Sequence, residues 1–470
     1  MEDVVVTGIS GLDYILNGGV PRGSNILIDG APGTGKTTFG MQFLIYGANH
    51  GEPGIYISFE ELPARIYRDM QPYGWDLEAL EAAGQFAIVS VSPDTFFQQL
   101  LEVGGIIDNL LCKMNCRRIV IDSLTMLSQT NSILNNPRAV MYTLCSGLRR
   151  HGITALLIHE GGCNHKGTGF EHFVADGTIH LSIREHRTYY RKHTLEVTKM
   201  RGRKYIEGEH PFKFTSRGVV LPAAIDPSTP AFVGPNSGDP DHISTGIPDL
   251  DTVLQGGLAK GSRWLLDTDN IANHWVFSPA VSAQRMVMAV SPDAPVSLVM
   301  EFMRMHGYDV SSAISERRLF FVELYERRIP DEVKDVLFDM SRATGPDFMN
   351  FFHKTVVPLC TRDDDPWFWI YDVNSFIALR GEDAVMRHYP EIASVEKDLR
   401  CTSLMICNSS QVTDELRALR ALFERSVDGI IRTWVEGRYQ YLQVAKSPSG
   451  IVTEPMVVVR GNASSSVRLI

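Results

Sequence analysis

The sequence predicts an α/β protein of two tandem domains, each a mostly parallel sheet flanked by helices. Three observations carry that prediction. Apolar strand-like runs alternate with helical patterns, a glycine-rich loop stands between one such run and a helix, and the segment flanking that loop occurs twice. In the first half the runs are 54–58, 87–91, 118–122 and 155–159, each apolar nearly throughout, as strands covered on both faces are.

Residues Gly30-Ala31-Pro32-Gly33-Thr34-Gly35-Lys36-Thr37 spell a phosphate-binding loop. The run Ile26, Leu27, Ile28 precedes it and Phe39, Met41, Phe43 and Leu44 follow, which is the strand-loop-helix setting the motif requires. Glycines let backbone N–H groups curl around phosphates while the new helix directs its positive end at them. Lys36 then reaches the β- and γ-phosphates as a point charge, and the Thr37 hydroxyl takes a position on Mg²⁺.

The opening Thr7-Gly8-Ile9-Ser10-Gly11-Leu12-Asp13 is echoed by Thr245-Gly246-Ile247-Pro248-Asp249-Leu250-Asp251, and Leu16-Asn17-Gly18-Gly19 by Leu254-Gln255-Gly256-Gly257. At the same offset Gly23-Ser24 falls on Gly261-Ser262, so the repeating unit is a whole domain. The expected boundaries are 1–221 for a domain with the intact loop, 222–242 for a linker rich in proline, and 243–470 for a second copy. In that copy the loop is lost. The register lays 30–37 over 268–275, with His274 opposite Lys36 and Trp275 opposite Thr37, while Asp267 and Asp269 stand where they would repel phosphates.

The run 118–122 ends in Asp122, a carboxylate at the strand end where a ligand crevice opens. Its counterpart Asp372 survives without the loop, and there the reading is a helix N-cap. Glu60 and Glu61 follow the run 55–58 at the same rim, where a carboxylate can orient a water and accept its proton; Pro292 and Asp293 replace them in the second copy.

With 470 residues, 44% hydrophobic and 21% charged, the chain has material for two or three globular cores. It has no apolar stretch of the ~20 residues that span a bilayer, and Met1-Glu2-Asp3 lacks the basic start of a signal peptide, so a cytoplasmic protein with no membrane partner is expected. Seven scattered cysteines fit reduced thiols rather than a disulfide framework, and Cys163 with His159 and His165 matches no zinc spacing. A net charge of -10 speaks against nonspecific nucleic-acid binding, with the basic segment 184–203, including Arg187, Arg191, Lys192, Lys199 and Arg201, as the local exception. Trp264, Trp275, Trp367, Trp369 and Trp434 are read as core rather than as a partner surface.

Taken together, T-G-I-S-G-L-D, G-A-P-G-T-G-K-T, Y-I-S-F-E-E, R-I-V-I-D-S and V-T-K-M-R-G resemble the KaiC branch of the RecA-like ATPases. The resemblance spans the first domain, through Gly208-Glu209-His210-Pro211-Phe212, and departs in the second at its active-site positions. It implies tandem RecA-like folds and a homo-oligomeric ring, commonly a hexamer, that binds ATP and Mg²⁺ between subunits. Gly33, Thr34, Gly35, Lys36, Thr37 and Thr38 would hold the phosphates, Thr37 and Asp122 the metal, and Glu60 with Glu61 the attacking water. Lys199 and Arg201 would come from the adjacent protomer, as an arginine finger does. In the second copy 444–448 aligns with 197–201 and the arginine is gone. Glu424 and Arg425 occupy the place of the serine-threonine pair that clock members phosphorylate before an aspartate like Asp428, so autokinase activity is not expected.

The expected function is a regulatory or signalling ATPase whose second domain is a scaffold or docks a regulatory protein partner. Two alternatives stand beside it. One is an ATP-dependent DNA-binding relative of RecA, although the corresponding loops 123–138 and 161–169 offer chiefly Arg138 and Lys166. The other is an ATP sensor with negligible turnover, for which Glu60 and Glu61 would not be needed.

Overall fold

The structure is a computed structural model that describes residues 4–101, 105–127, 137–161, 172, 174–186, 190–222, 240–268, 283, 285–289, 295–305, 307–361, 367–408, 416–460 and 467–469. Contacts divide the chain into two compact units, Met1–Pro222 and Ala223–Ile470.

In the first unit β1 (Val4–Val5) and β2 (Val20–Pro21) form a short ribbon. The main sheet contains β3 (Asn25–Gly30), β4 (Gly54–Ser58), β5 (Phe86–Ser90), β6 (Arg118–Asp122), β7 (Thr154–Glu160), β8 (Gly177–His186), β9 (Tyr190–Met200), β10 (Glu209–Thr215) and β11 (Gly218–Val220). Its order is β11-β10-β9-β8-β3-β7-β6-β4-β5, parallel from β8 to β5 and antiparallel from β8 to β11. Strand β5 begins and ends one residue ahead of the expected run 87–91, and β7 continues past the expected 155–159 to Glu160.

Both faces of this sheet are buried, which accounts for the apolar spelling of its parallel strands. On one face Ile26, Ile28, Val120 and Ile158 pack with Phe39 and Phe43 of the helix Lys36–Asn49. On the other, Leu27, Ile55, Ile57, Ile119 and Ile121 pack with Phe96, Leu111 and Leu144. Alternation along each strand sends neighbours to opposite cores.

In the second unit β12 (His242–Ile243) and β13 (Leu258–Ala259) pair ahead of β14 (Arg263–Thr268), β15 (Met286–Ala289), β16 (Leu319–Glu323), β17 (Leu337–Asp339), β18 (Phe368–Asp372), β19 (Thr402–Cys407), β20 (Gly429–Glu436), β21 (Tyr439–Lys446), β22 (Met456–Arg460) and β23 (Val467–Leu469). The order is β17-β16-β15-β18-β19-β14-β20-β21-β22-β23. Counted outward from β3 and from β14, the two sheets follow the same path, with β17 an added edge strand. Both units are therefore RecA-like α/β folds of mostly parallel sheet, as the alternation of runs predicts.

Trp264, Trp367, Trp369 and Trp434 are buried, in keeping with the core reading; Trp275 lies outside the described residues. Described cysteines are free thiols, all buried except Cys112. Among the described residues no helix is long and apolar enough to cross a membrane. Arg184 of the basic segment pairs with Glu209 at 2.6 Å, while Arg187, most of the linker, the positions 269–275, Pro292, Asp293, Cys163, His165, Lys166 and most of the loops 123–138 and 161–169 lie outside the described residues.

Candidate active site

Strand β3 is buried along its whole length and delivers Gly30 to the sheet's rim. A Cβ at Gly30 would stand 2.4 Å from the Leu181 carbonyl oxygen, so glycine is required there by close approach. The turn closes through the Thr34 hydroxyl, which donates to the Ala31 carbonyl at 2.8 Å. Gly35 has φ of 91° and a Cβ on it would meet the Phe214 ring at 2.2 Å, so both backbone and space demand glycine. The helix Lys36–Asn49 then begins with no side-chain cap, leaving its first N–H groups to an external acceptor.

Lys36 lies back across this loop, with Nζ donating to the Gly30 and Ala31 carbonyls at 2.9 Å each. Burial pushes its ammonium below the ordinary lysine value, against the pull of Glu160, Asp122 and Asp29. Thr37 donates through Oγ1 to Asp122 Oδ2 at 2.9 Å, and the Tyr56 hydroxyl donates to the same oxygen. Burial raises the Asp122 carboxyl, opposed by those two hydrogen bonds and by Lys36. The Asp122–Ser123 peptide is cis. Gly33 sits in the turn with φ of +81°, and Thr34 and Thr38 are buried. The sequence-read residues Gly33, Thr34, Gly35, Lys36, Thr37, Thr38 and Asp122 are thus gathered at one rim.

Glu60 and Glu61 occupy the turn after β4, which is closed by the Glu61 N–H donating to Ser58 Oγ at 2.9 Å. The two carboxylates differ in surroundings. Glu61 pairs with Arg65 at 3.4 Å. Glu60 is pushed above the usual carboxylate range by burial and then by the negative charges of Glu160, Asp122 and Glu61. Glu160, at the end of β7 and opposite Gly30 in register, is a member of this site that the sequence reading missed. Its N–H is held by Thr125 Oγ1 at 2.9 Å. A strand end beside the phosphate-loop strand was the available signal. Tyr56 was likewise read only as part of a strand, and Phe214 not at all.

Beside the loop, Asp29 accepts from His159 Nδ1 at 3.0 Å and His180 Nδ1 at 3.1 Å, with His172 Nε2 at 3.9 Å. Burial alone would raise the Asp29 carboxyl, but the imidazoles outweigh it and hold the group well below the carboxylate range. Ligand atoms of Asp29, His159 and His172 lie within 4.8 Å of one another, so this group has the donor set of a small cation site, and its carboxylate is already engaged by imidazoles.

Lys199 and Arg201 are not at this rim. Lys199 pairs in register with Thr178, which is level with Leu27, so it lies toward the end of the sheet where β3 begins. Its Nζ donates to the His172 and Ala175 carbonyls at 2.7 Å each. Arg201 is 3.7 Å from Asp176, and its side chain is 56% exposed.

In the second unit the corresponding groups are turned inward. Asp372 accepts from the Asn374 and Ser375 N–H groups at 3.1 and 3.2 Å and caps the helix Val373–Arg380, as its sequence context predicts. Asp267 does not stand as a bare charge against phosphate, contrary to expectation. It is buried and neutralised by Arg420 at 2.9 Å and Arg432 at 3.7 Å. Lys446 donates to the Glu424 and Val427 carbonyls at 3.2 and 2.5 Å.

A phosphate loop closed by its own lysine, with a threonine and a strand-end aspartate joined beside it, on a mostly parallel RecA-like sheet, defines the class of phosphate-loop nucleotide-binding proteins. Residues 5–224 match the family described as "ATPase: KaiC". The UPF0273 protein of Thermotoga maritima is 35% identical over 233 residues, covering 46% of this chain and 95% of that protein. The circadian clock oscillator protein KaiC of Parathermosynechococcus lividus is 33% identical over 268 residues, covering 54% of this chain and 48% of that protein, so the match spans about half the length of that relative. Among solved structures, a KaiC-like protein from Pyrococcus horikoshii is 32% identical and covers 47% of this chain and 99% of its own, with a TM-score of 0.43. The chain is a KaiC-like member of the RecA superfamily, the family match lying in its first unit.

Proposed function

We propose that the first unit binds and hydrolyses ATP, and that nucleotide occupancy sets the state of a cytoplasmic regulatory homo-oligomer. The observation that carries this reading is the preformed loop: Lys36 bridging the Gly30 and Ala31 carbonyls, and Thr37 joined to Asp122. Carbonyl bonds at 2.9 Å keep the Lys36 ammonium at the loop's mouth, where phosphate oxygens can replace the carbonyls as acceptors. The uncapped N–H groups of the helix Lys36–Asn49 and the turn of Gly33, Thr34 and Gly35 supply the remaining donors, with Thr38 behind them.

Thr37 and Asp122 carry the oxygen donors that suit Mg²⁺, which when bound neutralises charge on the phosphate oxygens. Glu60 orients the attacking water and accepts its proton. Its raised carboxyl makes a stronger base than an ordinary surface glutamate, whereas Glu61 is held by Arg65. Arg201, with Lys199 positioning the same strand end, serves a neighbouring subunit's site in a ring. Their distance from their own loop along the sheet supports that assignment. The second unit is a non-catalytic copy that stiffens the assembly or docks a regulatory protein, supported by the inward pairing of Asp372 and Asp267.

Phosphate release and assembly mass measured on one preparation test this reading. Lys36→Ala is expected to lose ATP binding and turnover together. Glu60→Gln is expected to lower turnover by about 10²- to 10⁴-fold while keeping ATP-dependent assembly, and Glu61→Gln to act far more weakly. ATP binding without turnover in the intact chain would favour a sensor over an ATPase.

A further inference from the structure

One face of the second unit's sheet carries a cavity. Strand β18 pairs with β15 as β6 pairs with β4, so Val287, Ala289, Trp369 and Tyr371 stand where Ile55, Ile57, Ile119 and Ile121 stand in the first unit. Those isoleucines are buried against Phe96, Leu111 and Leu144. Their counterparts, of which Val287 and Trp369 are likewise buried, line a partly open cavity of about 110 Å³, walled by residues of the helices Gly345–Phe351 and Glu382–Asp398 and the π-helical turn Phe352–Val356. Protein interiors are close-packed with few voids larger than a water molecule, so a space of this size stands out, and because it is partly open a ring can enter without being wholly enclosed.

The lining is aromatic and apolar, with Phe348, Phe352 and Phe376 around Trp369, yet it includes polar groups without acceptors. Trp369 Nε1 and Arg380 Nε are both buried and have no hydrogen-bond partner. Arg380 keeps one bond, from Nη2 to the Met340 carbonyl at 2.8 Å. The nearby Asp347 carboxylate is occupied by the Thr344 N–H and hydroxyl, at 2.9 and 2.6 Å, in a capping box. His388 lines the cavity as well. Buried donors are ordinarily satisfied, so an unpaired guanidinium Nε–H and an unpaired indole N–H on two residues of the cavity wall point to an acceptor that comes from outside the chain. The position also suits a ligand: Ala289 and Tyr371 of the lining stand at the C-terminal ends of parallel strands β15 and β18, the end at which open α/β sheets bind small molecules.

We propose that this cavity binds a small aromatic carboxylate, its ring among Phe348, Phe352 and Trp369 and its carboxylate on Arg380 and His388. Guanidinium matches the planar carboxylate, and the ring fills space that the first unit closes with isoleucine, phenylalanine and leucine. The ligand would act on the unit that lacks a phosphate loop, and its binding is independent of the ATPase reading.

Phenylacetate and its uncharged isostere phenylacetamide are suitable probes on the intact chain, read by calorimetric titration and ligand-observed NMR. Saturable phenylacetate binding is expected, about tenfold tighter than phenylacetamide. Arg380→Met should erase that preference, and Ala384→Phe, which fills the cavity, should abolish binding of both. Val322→Phe is a second filling variant if the first does not fold, as judged by circular dichroism and by retained ATP binding in the first unit. Absence of saturable phenylacetate binding up to about 10 mM overturns the proposal, as does equal affinity for acid and amide or binding that survives both filling variants.

Discussion

Asp122 and Asp372 end equivalent strands, β6 and β18, and do different things. Asp122 turns to Thr37 and Tyr56 across the sheet, while Asp372 turns to the N–H groups of the helix that follows it. The difference teaches that a strand-end carboxylate takes whichever donor is at hand: the phosphate loop's threonine where the loop exists, its own helix start where it does not. A second pair is conserved in role. Asp29 and Asp267 are buried near the ends of β3 and β14, and each is paired with the residue beside it in register, His180 and Arg432 respectively; His159 and His172 complete the surroundings of Asp29, and Arg420 those of Asp267. A third is Lys199 and Lys446, each of which donates to two backbone carbonyls just before the next strand. The buried aspartate and the carbonyl-binding lysine are therefore common to both units, whereas the facing of the strand-end aspartate and the presence of Arg201 separate them.

The sharpest way to break this comparison is to separate Arg201 from Lys199. Arg201 has no counterpart in the second unit, so Arg201→Ala is expected to lower ATP turnover by about 10³-fold with an unchanged unfolding midpoint. Lys199→Ala and Lys446→Ala should each cost about 1–3 kcal/mol in denaturant unfolding, because each strips carbonyls of a charged donor. A Lys199→Ala variant of full stability and no turnover would place the lysine with Arg201 instead.

The next effect tests a buried acid of the second unit away from its strand ends. Glu396 is fully buried, and burial pushes its carboxyl up to about 7 from 4.5, with Arg263 pulling the other way. A raised folded-state value means that this group's contribution to stability is fully present below pH 4.5 and is lost as pH rises through 7. The loss amounts to about 3 kcal/mol. Glu396→Gln should flatten that stretch of the stability profile and exceed the parent in stability above neutrality, as read by urea unfolding across pH. A parallel profile for both proteins would remove Glu396 as the source.

The smallest expected effect concerns the paired acids. Asp267→Asn should destabilise by about 1–3 kcal/mol through the loss of charge beside Arg420 and Arg432, and leave ATP turnover unchanged. If it abolished turnover instead, the second unit would not be the bystander that the comparison describes.

Much of the site was legible because it is local. Gly30 to Thr37 is contiguous, and Asp122 and Glu60 announce themselves as carboxylates directly after apolar runs. Glu160 is not legible because the apolar run 155–159 stops one residue short of it, and Tyr56 because its hydroxyl matters only once β4 lies beside β6. The histidines around Asp29, His159 of β7, His172 and His180 of β8, lie 130 or more residues from it in the chain. Asp267 was read as a bare charge because Arg420 and Arg432 lie more than a hundred residues away in sequence.

By itself, the sequence determined the α/β class, the doubled frame and the phosphate loop, since periodicity, glycine placement and repetition are properties of neighbouring residues. Tertiary structure alone decided which way each strand-end acid faces, that burial and neighbouring charge raise Glu60, and that a cavity lies on one face of the second unit's sheet. Those outcomes depend on strand register and on how helices fill the volume above a sheet, and both are set by contacts between residues distant in the chain.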